Sequence, residues 1–187
     1  MTIFEYVMIL LSVVISLGLA RLLETHAQLL KRGDKVRWSP TYLAWLLILL
    51  LSHIDLWASL WQVHEHARWN AADIGATLAA AALLFYASIF ATPDINNEVR
   101  TDLWTFHLAN RRRYLGALLG YMIVGAWLNV TLMRETFSAT NATAAAPAIV
   151  LMLVAIFIAN RWIQRLMVAL TLVLITLYFA QYLPAIG

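Results

Sequence analysis

The chain has 187 residues, of which 63% are hydrophobic and 12% are charged, and its mean hydropathy is +0.76. Soluble domains have roughly half apolar and a quarter charged residues, so the composition excludes an ordinary soluble fold and predicts an integral membrane protein. Cysteine is absent, which excludes disulfides and thiolate metal sites. The net charge of +3 comes from local basic clusters, so we expect no nucleic-acid partner.

Six apolar stretches approach the length of about 20 helical residues that crosses about 30 Å of hydrocarbon. They are Ile3–Ala20, Tyr42–Val63, Ile74–Ala91, Tyr114–Leu132, Ala144–Ile158 and Leu166–Leu183. The fifth stretch is short and begins beside Pro147, which a first helical turn tolerates. The segments between the stretches are too short for a further domain, so we predict one transmembrane domain over residues 1–187, an all-α bundle of six helices.

The basic residues alternate along the chain and give an orientation. Successive segments outside the predicted spans contain 0, 5, 1, 4, 1, 2 and 0 Lys or Arg residues. Basic connectors stay in the cytoplasm, so we expect both termini to be periplasmic in a bacterial inner membrane. Residues 102–113 mix apolar side chains with a basic cluster, and this pattern fits either a helix lying along the cytoplasmic interface or an extension of the fourth span.

A weak internal similarity connects the two halves of the chain. Residues 84–87 (LFYA) resemble residues 177–180 (LYFA), and each segment is followed shortly by a proline. A duplication of three spans would produce a 3+3 inverted repeat, because an odd number of crossings reverses the second half. Composition alone also makes apolar helices resemble one another.

The second span contains the clearest polar pattern inside the predicted membrane region. Spacing of three and four residues places one polar set on one stripe of the helix, and a histidine–tryptophan set forms another stripe. The polar set is Ser52, Asp55, Ser59, Gln62 and His66, and the second set is His53, Trp57, Trp61 and His64.

Asp55 lies near the middle of this span, where a charge costs about 3 kcal/mol. One interpretation is that Asp55 lines a path or binding cavity. The further candidates for this path or binding site are Ser52, His53, Ser59, Gln62, Asn129 and Glu5. The other is that Asp55 is protonated, or bonds Asn129 or a serine, and holds helices together.

Metal and cofactor sites receive little support from the sequence. Glu5, His64 and His66 are expected at one depth near the outer surface, but a His-x-His spacing on a helix does not place both imidazoles on one face, so they are weak metal candidates. Bis-histidine haem ligation needs two imidazoles at one depth on different spans, and His53 alone lies near mid-membrane. We therefore expect no bound cofactor.

Sequence motifs typical of enzymes are missing, so we predict no catalytic residues. An intramembrane hydrolase needs a serine and a base at matched depth. Ser52 and His53 are adjacent and point apart, and Ser88 has no evident histidine.

Small residues favour close helix packing, either within the bundle or in a homo-oligomer. Gly116 and Gly120 form a small-xxx-small pair in the fourth span, and Ser12, Ser16 and Ala20 line the first.

Three segments carry a resemblance to known proteins. They are ISLGLARLL at the end of the first span, the Trp-rich second span and DLWTFHLANRRRYLG before the fourth. Together they resemble a family of small multi-pass bacterial inner-membrane proteins of unknown function, over about the first two thirds of the chain. The resemblance implies a bacterial inner membrane and brings no site residues with it.

The leading functional hypothesis is a small channel or transporter-like protein for protons, ions or a small solute, with the polar stripe of the second span lining the path. One alternative is a non-transporting subunit, receptor or scaffold that binds a membrane partner. Another is a membrane enzyme that acts on lipid or quinone.

Overall fold

The structure is a computed structural model that describes residues 3–62, 69–94, 100–132 and 139–182. Within these residues a helix covers each of the six predicted spans, and five helices are long and apolar enough to cross a membrane. The predicted membrane helix bundle is therefore confirmed. The helices are α1 (Ile3–Lys31), α2 (Pro40–Gln62), α3 (Ala71–Ala91), α4 (Leu103–Leu132), α5 (Ala139–Phe157) and α6 (Arg161–Tyr182), and the strands are β1 (Val36–Arg37) and β2 (Thr101–Asp102).

Helices α1 and α4 extend well beyond the predicted spans. They contain 29 and 30 residues, so each is roughly 45 Å long, which exceeds the hydrocarbon thickness. The additional turns of α1 pack through Leu22 and Leu29, which are buried. Helix α4 is continuous from Leu103, so residues 103–113 extend the fourth span and the alternative of a separate interfacial helix is wrong.

Helix α5 differs from its predicted start. It begins at Ala139, so Pro147 lies inside the helix and not in its first turn. Helices in membranes tolerate an internal proline because neighbouring groups satisfy the carbonyl that proline leaves free. The apolar part of α5, Ala146–Phe157, is shorter than the other apolar segments.

The three basic connectors lie at one end of the bundle, which we call the basic end. The connector between α1 and α2 pairs with that between α3 and α4 through a parallel bridge of β1 with β2. The guanidinium of Arg161, at the start of α6, lies 5.8 Å from the ring centroid of Trp104 at the start of α4. At the opposite end, the rings of Phe4 and Trp69 are 6.2 Å apart. Neighbouring helices therefore alternate in direction.

Asp102 connects two of these segments and begins α4. Its Oδ1 accepts hydrogen bonds from the backbone N–H groups of Trp104 (2.9 Å) and Thr105 (3.1 Å), and its Oδ2 lies 3.2 Å from Arg37 Nη1. The hydrogen bond from Thr105 is the largest cause that holds the pKa of Asp102 below its usual value. Partial loss of hydration opposes it, and the hydrogen bond from Trp104 and the charge of Arg37 lower the pKa further.

Helix α2 contacts four other helices, α1, α3, α4 and α6, while α3 and α4 form the most extensive helix pair. Gly120 permits a close approach within that pair, because a Cβ there would lie 3.4 Å from the Leu83 side chain. The small-residue motif of the fourth span is therefore used in part inside the bundle.

The two halves of the chain pack differently. Helix α1 packs extensively on α3, whereas among the described residues α4 has no comparable contact with α6. The 3+3 repeat stays a prediction from the sequence, and this packing gives it no support.

Candidate functional site

Asp55 lies at a small cavity where α2, α3, α4 and α6 meet. The cavity has a volume of about 80 Å³, enough for a few water molecules. The cavity lies in the half of the bundle away from the basic end, because the helices alternate in direction and all lining residues fall in that half. They are Asp55, Leu56, Ser59, Leu60, Thr77, Ala80, Tyr121, Gly125, Leu128, Asn129 and Tyr178.

Two tyrosines hold the Asp55 carboxyl group. The hydroxyl of Tyr121 donates to Asp55 Oδ2 at 3.0 Å, and the Tyr178 hydroxyl forms a second hydrogen bond with the same side chain. The Tyr121 hydroxyl also lies 3.4 Å from the backbone carbonyl oxygen of Ser52. A phenol has one proton to donate, so Tyr121 can donate to only one of these two oxygens, Asp55 Oδ2 or the Ser52 carbonyl, at a time.

The lining chemistry restricts what the cavity can bind. Its polar groups are one carboxyl, four hydroxyls and one amide, and no Lys, Arg or His is among its lining residues. Carboxylate, hydroxyl and amide oxygens are ligands for hard cations and for hydrogen-bond donors. An anion would meet a carboxyl group without a compensating positive charge.

The structure brings part of the predicted polar set together. Asp55, Ser59 and Asn129 line the cavity. Ser52 is buried on the same helix but donates to the carbonyl of Ile48 at 2.9 Å, so its hydroxyl is engaged within α2. The side chain of Gln62, together with His64 and His66, lies outside the described residues.

Glu5 is exposed in the first turn of α1. Among the residues that the structure describes, no three His, Cys, Asp or Glu side chains gather at one point.

His53 occupies a different place, at a packed junction of three helices. Its Nδ1 donates to the carbonyl of Leu49 at 2.8 Å, and its Nε2 lies 3.4 Å from the Ser88 hydroxyl. The expectation that Ser88 has no histidine is therefore wrong, because folding joins residues that are 35 positions apart. Both side chains are at most 1% exposed, and neither lines the Asp55 cavity.

Gly18 of α1 completes this junction. A Cβ atom at position 18 would overlap Nε2 of His53 and lie 3.1 Å from its Cδ2 atom. Only a residue without a side chain leaves room for the imidazole, so the arrangement explains the glycine and supports a packing role for His53.

A second buried polar cluster lies at the basic end and was not predicted. His107 Nε2 lies 3.0 Å from Gln164 Oε1, and His107 Nδ1 contacts the Tyr114 hydroxyl. The Gln164 amide donates to the backbone carbonyls of Ala155 and Ile158 at the end of α5. Because both amide protons are used there, Oε1 faces His107, so the Nε2 atom of His107 donates the hydrogen bond to Gln164.

The sequence reasoning missed Tyr121, Tyr178 and Thr77 at the Asp55 cavity. Tyrosine is common in membrane helices, and a single sequence does not show that positions 55, 121 and 178 come together in space. Depth in the membrane could have indicated the two tyrosines, because Tyr121 and Tyr178 each lie within an apolar span at about the level expected for the polar stripe of α2.

Comparisons with protein-family models, with curated proteins and with solved structures give no match. The class of the protein thus follows from the fold and from the site. It is a helical membrane protein with a carboxyl-lined cavity inside its bundle.

Proposed function

We propose that the protein is a small transporter- or channel-like membrane protein whose binding site is the Asp55 cavity. Its ligand is a proton, a small cation or a small solute that donates hydrogen bonds. The observation that carries this proposal is the Asp55 carboxyl in a polar cavity at the meeting of four helices.

A purely structural role explains this arrangement less well. Hydrogen bonds between membrane helices contribute about 0.6 to 2 kcal/mol, whereas a charge at mid-bilayer costs about 3 kcal/mol. Two tyrosines already bond the carboxyl, yet Ser59 and Asn129 also line the same space, while the Thr77 hydroxyl there donates to the Asp73 carbonyl at 2.7 Å. Polar groups in excess of those that satisfy Asp55 support a ligand site.

Transport through this site requires a conformational change. Toward the basic end, the next layer of the bundle consists of side chains that are at most 1% exposed, namely Ile48, Leu49, Leu84, Leu115 and Leu118. This packed layer separates the cavity from the basic end, and we propose that it is the closed side of an alternating-access cycle.

For orientation and location we propose a bacterial inner membrane with the basic end in the cytoplasm and both termini in the periplasm. The support is the alternation of basic residues, together with the common position of the three basic connectors. The family resemblance of the sequence fits this location.

The test is flux through vesicles that contain the purified protein, measured with pH- and cation-sensitive dyes. Asp55→Asn keeps the shape of the side chain but removes its charge, so we expect flux to fall at least about tenfold. Asp34→Asn, in the exposed turn after α1, is the matched control and should leave flux unchanged. Equal flux through the wild-type and Asp55→Asn proteins would contradict the proposed site.

A second candidate is a non-transporting subunit that binds a membrane partner or a second copy of the chain. It is favoured by Ser16 and Ala20 of α1, which are exposed, and by Gly116, where a Cβ would meet nothing within 4 Å. At these positions the small residues that would let another helix pack closely have no such helix against them within the described residues of the chain. A copurifying membrane partner, combined with no flux in vesicles, would favour this candidate.

A further inference from the structure

We propose that the basic end carries a binding site for the phosphate headgroup of an anionic phospholipid. We call it the headgroup site, and it consists of Arg111 and Trp104 of α4 and Arg161, Trp162 and Arg165 of α6. The site is separate from the Asp55 cavity and does not depend on the proposed transport function.

The first turn of α6 is held in a defined position against α4. Gln164 bonds His107 at 3.0 Å, and the Arg161 guanidinium lies over the Trp104 ring at 5.8 Å. One turn further along α6, the Arg165 guanidinium lies 5.3 Å from the ring centroid of Trp162. Stacking on an indole ring orients a guanidinium while leaving its N–H groups available for a ligand.

Within residues 3–62, 69–94, 100–132 and 139–182, the structure gives the cations of this site no acidic partner. The ion pairs Arg21–Asp94 and Arg37–Asp102 lie at the same end and involve no arginine of the headgroup site. Arg111 donates to the carbonyl of Leu108 through Nη1, while its Nε is buried without a hydrogen-bond partner. Guanidinium groups without a carboxylate partner are suited to a phosphate, whose oxygens accept charge-assisted hydrogen bonds.

The position of the site relative to the membrane favours a lipid over a soluble anion. Helix α6 has 22 residues and is about 33 Å long, so its first turn reaches the headgroup layer when the helix spans the bilayer. Trp162 is 73% exposed, and Leu166 on the next turn is 54% exposed. A lipid phosphate at the arginines would thus place its acyl chains against apolar side chains of the same helix.

The test measures lipid binding to the purified protein in detergent by native mass spectrometry, with phosphatidylglycerol and phosphatidylcholine titrated separately. We expect at least about tenfold tighter binding of phosphatidylglycerol. The double variant Arg161→Gln/Arg165→Gln should lose most of this preference. The control Lys31→Gln/Arg100→Gln removes two exposed charges from the same end and should retain it.

A third double variant tests whether the lipid phosphate is recognised by the guanidinium groups stacked on the indole rings or is attracted by positive charge alone. Arg161→Lys/Arg165→Lys keeps both positive charges but loses the planar fork, so we expect about threefold or greater weakening of phosphatidylglycerol binding. Melting temperatures of all variants should stay near that of the wild type, because both arginines are exposed.

Three results would overturn the proposal. The first is an equal loss of preference in the control variant, which would indicate diffuse attraction to the whole basic end. The second is wild-type affinity in the lysine variant. The third is displacement of phosphatidylglycerol by millimolar inorganic phosphate, which would identify a soluble anion as the ligand.

Discussion

The polar groups around Asp55 and those around His107 are both enclosed by the bundle, but their hydrogen bonding differs. At the basic end, each side-chain nitrogen and oxygen of His107 and Gln164 has a protein partner, and the two side chains are fully buried. At the Asp55 cavity, the polar side chains surround a space that the protein leaves open. A closed network fixes helices in place, whereas an open polar cavity leaves binding capacity unused. We therefore expect the first region to contribute mainly to stability, whereas the second is the region where we propose that a ligand binds.

The largest expected effect is on stability at the closed network. Gln164→Leu roughly keeps the side-chain volume but removes the partner of His107 Nε2 and the side-chain donor to the carbonyls of Ala155 and Ile158. We expect a loss of at least about 3 kcal/mol in the free energy of unfolding, measured by circular dichroism during SDS titration. Gln28→Leu, which removes only an exposed bond to Glu24, should cost less than about 0.5 kcal/mol. If the two variants were equally stable, the basic end would not be the rigid region.

The next effect concerns the packed histidine junction. Gly18→Ala should destabilise the protein by about 1 to 3 kcal/mol, because the new methyl group overlaps the buried His53 ring. Gly75→Ala is the control, since a Cβ at position 75 meets nothing within 4 Å and alanine favours a helix by about 0.5 to 1 kcal/mol. The same SDS titration measures both variants. A stable Gly18→Ala protein would show that His53 moves freely, contrary to a packing role.

The smallest effect on stability is expected at the cavity, where function should respond instead. Tyr121→Phe removes one hydrogen bond to Asp55 and should cost about 1 kcal/mol of stability. Flux through vesicles should fall about threefold or more, because the carboxyl loses a partner that positions it. Tyr86→Phe, at an exposed position of α3, controls for the loss of a phenol. A large loss of stability with unchanged flux would reverse the roles of the two regions.

Hydropathy and charge predicted the bundle well, because they reflect the contact of helices with lipid and water. They did not predict the additional turns of α1, and they left the extension of α4 as one of two alternatives, because the buried residues of these turns contact protein and not lipid. Residues 21–31 contain too many charges to appear as a span, yet Leu22, Thr25 and Leu29 form a buried stripe there. In such turns, apolar residues spaced three and four positions apart indicate the face that packs on other helices, whereas the average hydropathy of the segment does not.

Three residues of the candidate site were predicted from the sequence, namely Asp55, Ser59 and Asn129. Asp55 stands out because a carboxyl in an apolar span is costly, and Ser59 follows from helical spacing. Tyr121 and Tyr178 belong to other helices, and their approach to Asp55 depends on how α4 and α6 rotate and cross. His107 was expected in a cytoplasmic connector, but the extension of α4 makes it part of the bundle interior.

The short parallel bridge between β1 and β2 has a consequence for biogenesis. It joins residues 65 positions apart, and Arg37 meets Asp102 across the same distance along the chain. Three helices must leave the ribosome before this bridge can form, so the connector between α1 and α2 stays unpaired until the start of α4 has been synthesised. From that point on, the bridge can hold the first three helices together, whether or not α5 and α6 have been added.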